Sequence, residues 1–133
     1  MFPDLNASPP LFFVLALVLA FGLKHLLADY FFQTSWMVHG KSKAAGWTAP
    51  LAAHASIHSF GTFVIAMIVA PALWWLAIAD LLIHATIDRL RAMPCVGGKL
   101  RPDQPAFWWM LGVDQEAHAL THLGFIAVLA ATY

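Results

Sequence analysis

The stretch LLIHATIDRL, residues 81–90, decides how this chain is read. It prolongs an apolar run, yet it sets His84 and Asp88 four residues apart, with Asp80 four residues before His84. Residues four apart share one face of an α-helix. A carboxylate, an imidazole and a second carboxylate therefore form one polar stripe on an otherwise greasy helix.

The same spacing recurs three times: His25, Asp29 and Gln33; His54, His58 and Thr62; Asp114, His118 and His122. Six of the seven histidines and four of the six aspartates fall on these stripes, which ties the two residue types to one shared role.

The chain of 133 residues suits a single domain, 1–133. It is 61% hydrophobic and only 11% charged. Soluble domains are about a quarter charged, so a membrane protein is expected. Formal net charge is zero, and no basic patch suggests a nucleic-acid partner. Cys95 has no second cysteine to pair with and reads as a reduced loop thiol. The first apolar run, LFFVLALVLAFG, follows a tail with Asp4 and no Lys or Arg. It leads straight into LKHLLADYFFQ without a small-residue cleavage site, so a retained helix is expected.

About twenty apolar residues cross a bilayer core. Four stretches qualify if a few polar residues are tolerated, roughly 10–33, 50–70, 72–90 and 106–132. Pro50, Pro71 and Pro105 stand where helices should begin. Short connections favour an all-α, up-down-up-down four-helix bundle, its second and third spans hinged at Pro71. Lys41 and Lys43 follow the first span, and Arg89, Arg91, Lys99 and Arg101 follow the third. The tail, the Pro71 turn and the C-terminus carry no basic residue. That asymmetry predicts a multi-pass protein of a bacterial inner (cytoplasmic) membrane with both termini outside.

With that topology, all four stripes lie in the cytoplasmic half of the membrane. At about 1.5 Å of rise per residue, His25 stands roughly 12 Å above Gln33. An aspartate at membrane depth costs on the order of 3 kcal/mol. Four of them need compensation by protons, histidinium or bound cations. Imidazole and carboxylate without thiolate suit zinc, iron or manganese. Four carboxylates and neutral histidines balance two divalent ions, so a dinuclear site is expected. The candidate ligands are His25, Asp29, His54, His58, His84, Asp88, Asp114, His118 and His122. Gln33, Asp80 and Gln115 are expected to hydrogen-bond to those ligands. The bland reading of any one pair is a polar contact between helices; four stripes at one depth favour a metal. Thr62 reads as a packing hydroxyl, His39 as a solvated loop residue and Glu116 as lying off the stripe. Lys24 is expected to point off the stripe and snorkel to the interface.

The segments HLLADYFFQTSWM, HASIH, HATID and DQEAHALTH together resemble a bacterial and phage integral membrane family, that of domain of unknown function 3307. Its pattern matches His25, Asp29, Gln33, His54, His58, His84, Asp88, Asp114, Gln115 and His118. The resemblance implies the helical membrane fold and the polar cluster, and no reaction.

Three functions follow as expectations. The first is a metal-dependent hydrolase acting on a membrane-embedded or lipid-linked substrate, with oxygen chemistry instead if the metal is iron. The second is a metal or proton conduit, which the apolar outer segments FVIAMIVA and FIAVLAATY disfavour. The third is a haem-binding or structural subunit of a larger membrane complex, for which the aspartates are ill suited. Membrane lipid is an expected partner, and a homo-oligomer is compatible with the sequence.

Overall fold

The structure, a computed structural model, describes residues 8–133. The tail that carries Asp4 lies outside the described residues. Among these, the fold is all-helical, with five α-helices and no strand. They are α1 (Leu11–Leu26), α2 (Ser35–Gly40), α3 (Thr48–Val69), α4 (Trp75–Ala92) and α5 (Pro105–Ala130). A π-helical turn, Leu27–Phe31, extends α1, and a 3₁₀ turn, Pro71–Leu73, leads into α4.

The proline expectations hold with one shift. Pro105 opens α5 and Pro71 opens the 3₁₀ turn. Pro50 is the third residue of α3, still within the first turn, where a missing N–H leaves no helical bond unmade. The short helix α2 was not anticipated. Thr34 caps it, its side chain accepting from the Met37 N–H.

The long helices pack in a ring: α1 on α3, α3 on α4, α4 on α5 and α5 on α1. Neighbours run antiparallel, as partner residues count in opposite directions. Thr62 meets Asp80 and His54 meets Asp88 across α3 and α4. Phe21 packs on Phe125, while His25 meets Gln115 across α1 and α5.

The interior has two zones. Leu17, Phe21, Leu73, Leu76, Phe125 and Leu129 form an apolar core near the Pro71 turn. Beyond it, the interior becomes polar: His54, His58, Thr62, Asp80, His84, Asp88, His118 and His122 are all buried. The surface is the inverse. Phe12 is 80% exposed and Ile68 78%, whereas His58 is 0% and Asp80 1%. Soluble proteins rarely bury charges while displaying such aliphatic and aromatic bulk.

Three helical stretches, Leu11–Phe31, Thr48–Val69 and Pro71–Ala92, are long and apolar enough to cross a membrane. This supports membrane association. The fourth expected span, α5, has 26 residues but is not among these three. Its middle holds Asp114, Gln115, Glu116, His118 and His122.

Candidate metal centre

The α1 stripe runs into the π turn. In an α-helix, positions four apart drift by about 40°. The wider loop closed by Phe32 N–H to Leu27 C=O takes up part of that drift. His25 and Asp29 therefore stay on one side, with Nε2 of His25 3.1 Å from Oδ2 of Asp29. Gln33, past the end of the turn, still reaches the interior, its Nε2 3.1 Å from His54 Nε2.

Asp29 is the meeting point of α1 and α3. Its Oδ1 lies 3.0 Å from His58 Nε2 and 3.3 Å from His54 Nε2. From α4, His84 Nε2 approaches His54 Nε2 to 3.2 Å. Two facing ring nitrogens at that distance share either a proton or a cation. The imidazoles of His58 and His84 stack with centroids 3.7 Å apart. One ligand atom each from Asp29, His54, His58 and His84 falls within 4.8 Å of the other three. Metal–nitrogen bonds of about 2.0–2.1 Å imply tetrahedral edges of about 3.3 Å. Three of the six separations, at 3.0, 3.2 and 3.3 Å, are close to that edge length, and the other three lie within 4.8 Å.

A second grouping, His84, Asp88 and His118, shares His84 with the first. His118 is pre-oriented. Its Nδ1 donates to the Asp114 carbonyl at 2.8 Å, and its buried Nε2 has no hydrogen-bond partner. Metal-binding histidines are usually held this way, one nitrogen on a backbone carbonyl and the other presented to the ion. Buried polar atoms are rarely left unpaired. Here unpaired atoms gather at the cluster: Nδ1 of His25, His58 and His84, Oδ1 of Asp114 and Nε2 of His118. The donor set and the His118 geometry fit a bound cation.

Three of the candidate ligands stand outside both groupings. His25 bridges Asp29 and Gln115, its Nε2 lying 3.2 Å from Gln115 Oε1. Asp114 accepts from Gln115 Nε2 at 3.3 Å. His122 accepts from Lys24 Nζ at 3.2 Å. Of the expected supporting residues, Gln33 contacts His54, Gln115 contacts His25 and Asp114, and Asp80 contacts Thr62 and Lys24. His39 is exposed, as expected, and donates from Nδ1 to the Ser35 carbonyl at 2.8 Å.

Two lysines change the electrostatics. The expectation that Lys24 snorkels to the interface is corrected: it is 8% exposed. Its Nζ donates to Asp80 at 2.6 Å and to Thr62 Oγ1 at 3.0 Å. Gly61 makes room for it, since a Cβ there would lie 2.6 Å from Lys24 Cγ. Leu17, Phe21, Lys24 and Ala28 share the buried seam of α1, which carries the lysine inward. Thr62, expected only to pack, links this lysine to Asp80 by donating to the carboxylate at 2.6 Å.

Lys41, expected as a topology signal, reaches Asp88 Oδ2 at 2.7 Å. It follows α2, which sits tightly on α3, because a Cβ at Gly40 would collide with the Pro50 ring. A recess of about 230 Å³ opens beside the cluster, walled by Asp29, Gln33, Lys41, Asp88, Asp114 and His118.

Fold and site together define a helical bundle with an apolar exterior and a buried histidine–aspartate cluster. The chain belongs to the family described as Protein of unknown function (DUF3307), whose model matches residues 14–133. No curated protein and no solved structure gives a match.

Proposed function

We propose that this chain is a multi-pass protein of the bacterial cytoplasmic membrane that uses a bound divalent metal ion to hydrolyse a membrane-embedded or lipid-linked substrate. In this reading α1, α3, α4 and α5 form an up-down-up-down transmembrane bundle with both termini outside. The polar cluster then lies toward the cytoplasm, next to Lys41, Arg89 and Arg91. α5 crosses with its polar stripe turned inward, where its three companions shield it from lipid.

The observation that carries the proposal is the convergence of one ligand atom each from Asp29, His54, His58 and His84 within 4.8 Å inside an apolar-surfaced bundle. Three imidazoles and a carboxylate suit zinc, and also iron or manganese. The lysines bear on the number of ions. Four carboxylates less the ammonium groups of Lys24 and Lys41 leave two negative charges, enough to balance one divalent ion. One ion in the Asp29 grouping is therefore favoured. A second, at His84, Asp88 and His118, would share Asp88 with Lys41, which holds its Oδ2.

When bound, such an ion would supply Lewis-acid polarisation, and it would activate a water only in a coordination position beyond its four protein ligands. Asp114 stands outside both groupings and lines the recess, which suits it to take a proton from that water. His118, fixed by the Asp114 carbonyl, holds its place at the recess wall. Gln33 and Gln115 steady His54 and His25.

Elemental analysis of detergent-purified protein tests the reading. About one equivalent of metal is expected, falling to background in His54→Ala and staying near wild type in His39→Ala. A folded, metal-free wild type that takes up no zinc, iron or manganese on titration would sink the metal proposal. A Soret band in the purified protein would point to haem instead.

A further inference from the structure

Two neighbouring recesses differ in chemistry and share walls. The first, of about 340 Å³, is walled by Lys41, Asp88, Arg91, Gly97, Gly98 and Asp114. The second, of about 180 Å³, is an apolar slot between α4 and α5, walled by Ile87, Leu90, Val96, Met110, Val113 and Ala117. Arg91 and Asp114 border both. A charged chamber thus adjoins a greasy one across Arg91 and Asp114.

The cations of the chamber have donors to spare. Arg91 is held in place by Nη1 donating to the Gly97 carbonyl at 3.0 Å and by its position 5.5 Å from the Phe107 ring centroid. Its buried Nε has no acceptor. Lys41 Nζ has Asp88 as its one hydrogen-bond partner, leaving two N–H groups free among the described residues. A planar guanidinium and a point ammonium lining one recess both suit phosphate oxygens. The larger apolar groove between α1 and α3, about 850 Å³, lacks such a head. Its lysine, Lys24, already spends its three N–H groups on Asp80, Thr62 and His122.

We infer that this paired chamber and slot binds a phosphate-bearing amphiphile, its headgroup on Lys41 and Arg91 and its chain between α4 and α5. The inference rests on the metal reading above and specifies its substrate class. Asp88 and Asp114 would repel a bare anion. The Lys41 ion pair already offsets Asp88 and Arg91 lines the chamber together with Asp114, and the recess shared through Lys41, Asp88 and Asp114 extends to His118.

The test titrates detergent-purified, metal-containing protein with three probes: dihexanoyl phosphatidic acid below its micellar concentration, uncharged dihexanoylglycerol, and inorganic phosphate. Phosphatidic acid is expected to bind at least tenfold tighter than either of the others. Arg91→Gln is expected to weaken it about tenfold or more, as loss of a charge-assisted contact does, with Arg91→Lys recovering part of the loss. Val113→Trp, at a position 60% exposed, should weaken phosphatidic acid while leaving inorganic phosphate unchanged. Equal binding of dihexanoylglycerol overturns the headgroup assignment, and equal binding of inorganic phosphate overturns the chain. Wild-type affinity in both Arg91→Gln and Val113→Trp overturns the site. Metal content is measured on the same samples. Retained metal with failed lipid binding sinks this inference alone, whereas a metal-free wild type sinks the reading beneath it.

Discussion

Lys24 Nζ lies 2.6 Å from Asp80 Oδ2, with both side chains at most 5% exposed. This ion pair joins α1 to α4 at the boundary between the apolar core and the histidine cluster. Its position predicts a specific asymmetry among variants. Removing one partner of a buried pair leaves an uncompensated charge and costs about 3–5 kcal/mol, whereas replacing both with apolar groups is far milder. Lys24→Met should therefore destabilise the protein by about 3 kcal/mol, and the double variant Lys24→Met/Asp80→Leu should recover most of it. Denaturant unfolding in detergent measures both. Equal stability of Lys24→Met and wild type would mean that the pair carries no weight.

Gly61 offers a second route to the same contact. A side chain at this position meets the Lys24 stem at Cγ, too close to its backbone to swing aside freely. Gly61→Leu should eject the lysine and destabilise by an amount similar to Lys24→Met, while Gly22→Leu, where nothing lies within 4 Å, should be mild. Comparable unfolding midpoints for the two leucine variants would refute the crowding argument.

Lys41 contacts Asp88 at 2.7 Å, and in the proposed reading it competes there with a second ion. Lys41→Met should release that carboxylate and raise bound metal from about one equivalent toward two. Gly40→Val should act in the same direction by lifting α2 from Pro50. Metal-to-protein ratios decide this, and an unchanged ratio in Lys41→Met would argue against that competition.

Acidification should strip the metal. Imidazole nitrogens bind cations only when deprotonated, so protons and metal compete for the same lone pairs. Three of the four atoms in the Asp29 grouping are imidazole nitrogens. Retention should therefore be complete at neutral pH and fall steeply on the acid side, with recovery when pH is restored. Metal content after dialysis across a pH series reads this directly. Retention independent of pH would argue against a histidine-based site.

The helices and the cluster were legible because both follow a period. Apolar runs of about twenty residues mark the spans, and the four-residue spacing of His and Asp marks the stripes. Lys24 was harder to read because it directly precedes the stripe that begins at His25 and lies on a different face. The signal was present, since positions 17, 21, 24 and 28 follow the three–four spacing of a buried seam, and a lone lysine on such a seam requires an internal partner. Lys41 gave no comparable sign. Its approach to Asp88 depends on a six-residue helix too short to show periodicity and on how closely Gly40 lets it dock. The π turn was equally silent, as nothing in LADYF distinguishes it from ordinary helix.

The apolar plug formed by Leu17, Phe21, Leu76, Phe125 and Leu129 gives the molecule a sidedness that a symmetric bundle would lack. In the proposed bilayer arrangement it would close one end of the polar interior. A water-soluble chelator or thiol-free acid pulse applied to sealed vesicles should reach the histidines from the Lys41 rim and be ineffective from the opposite compartment.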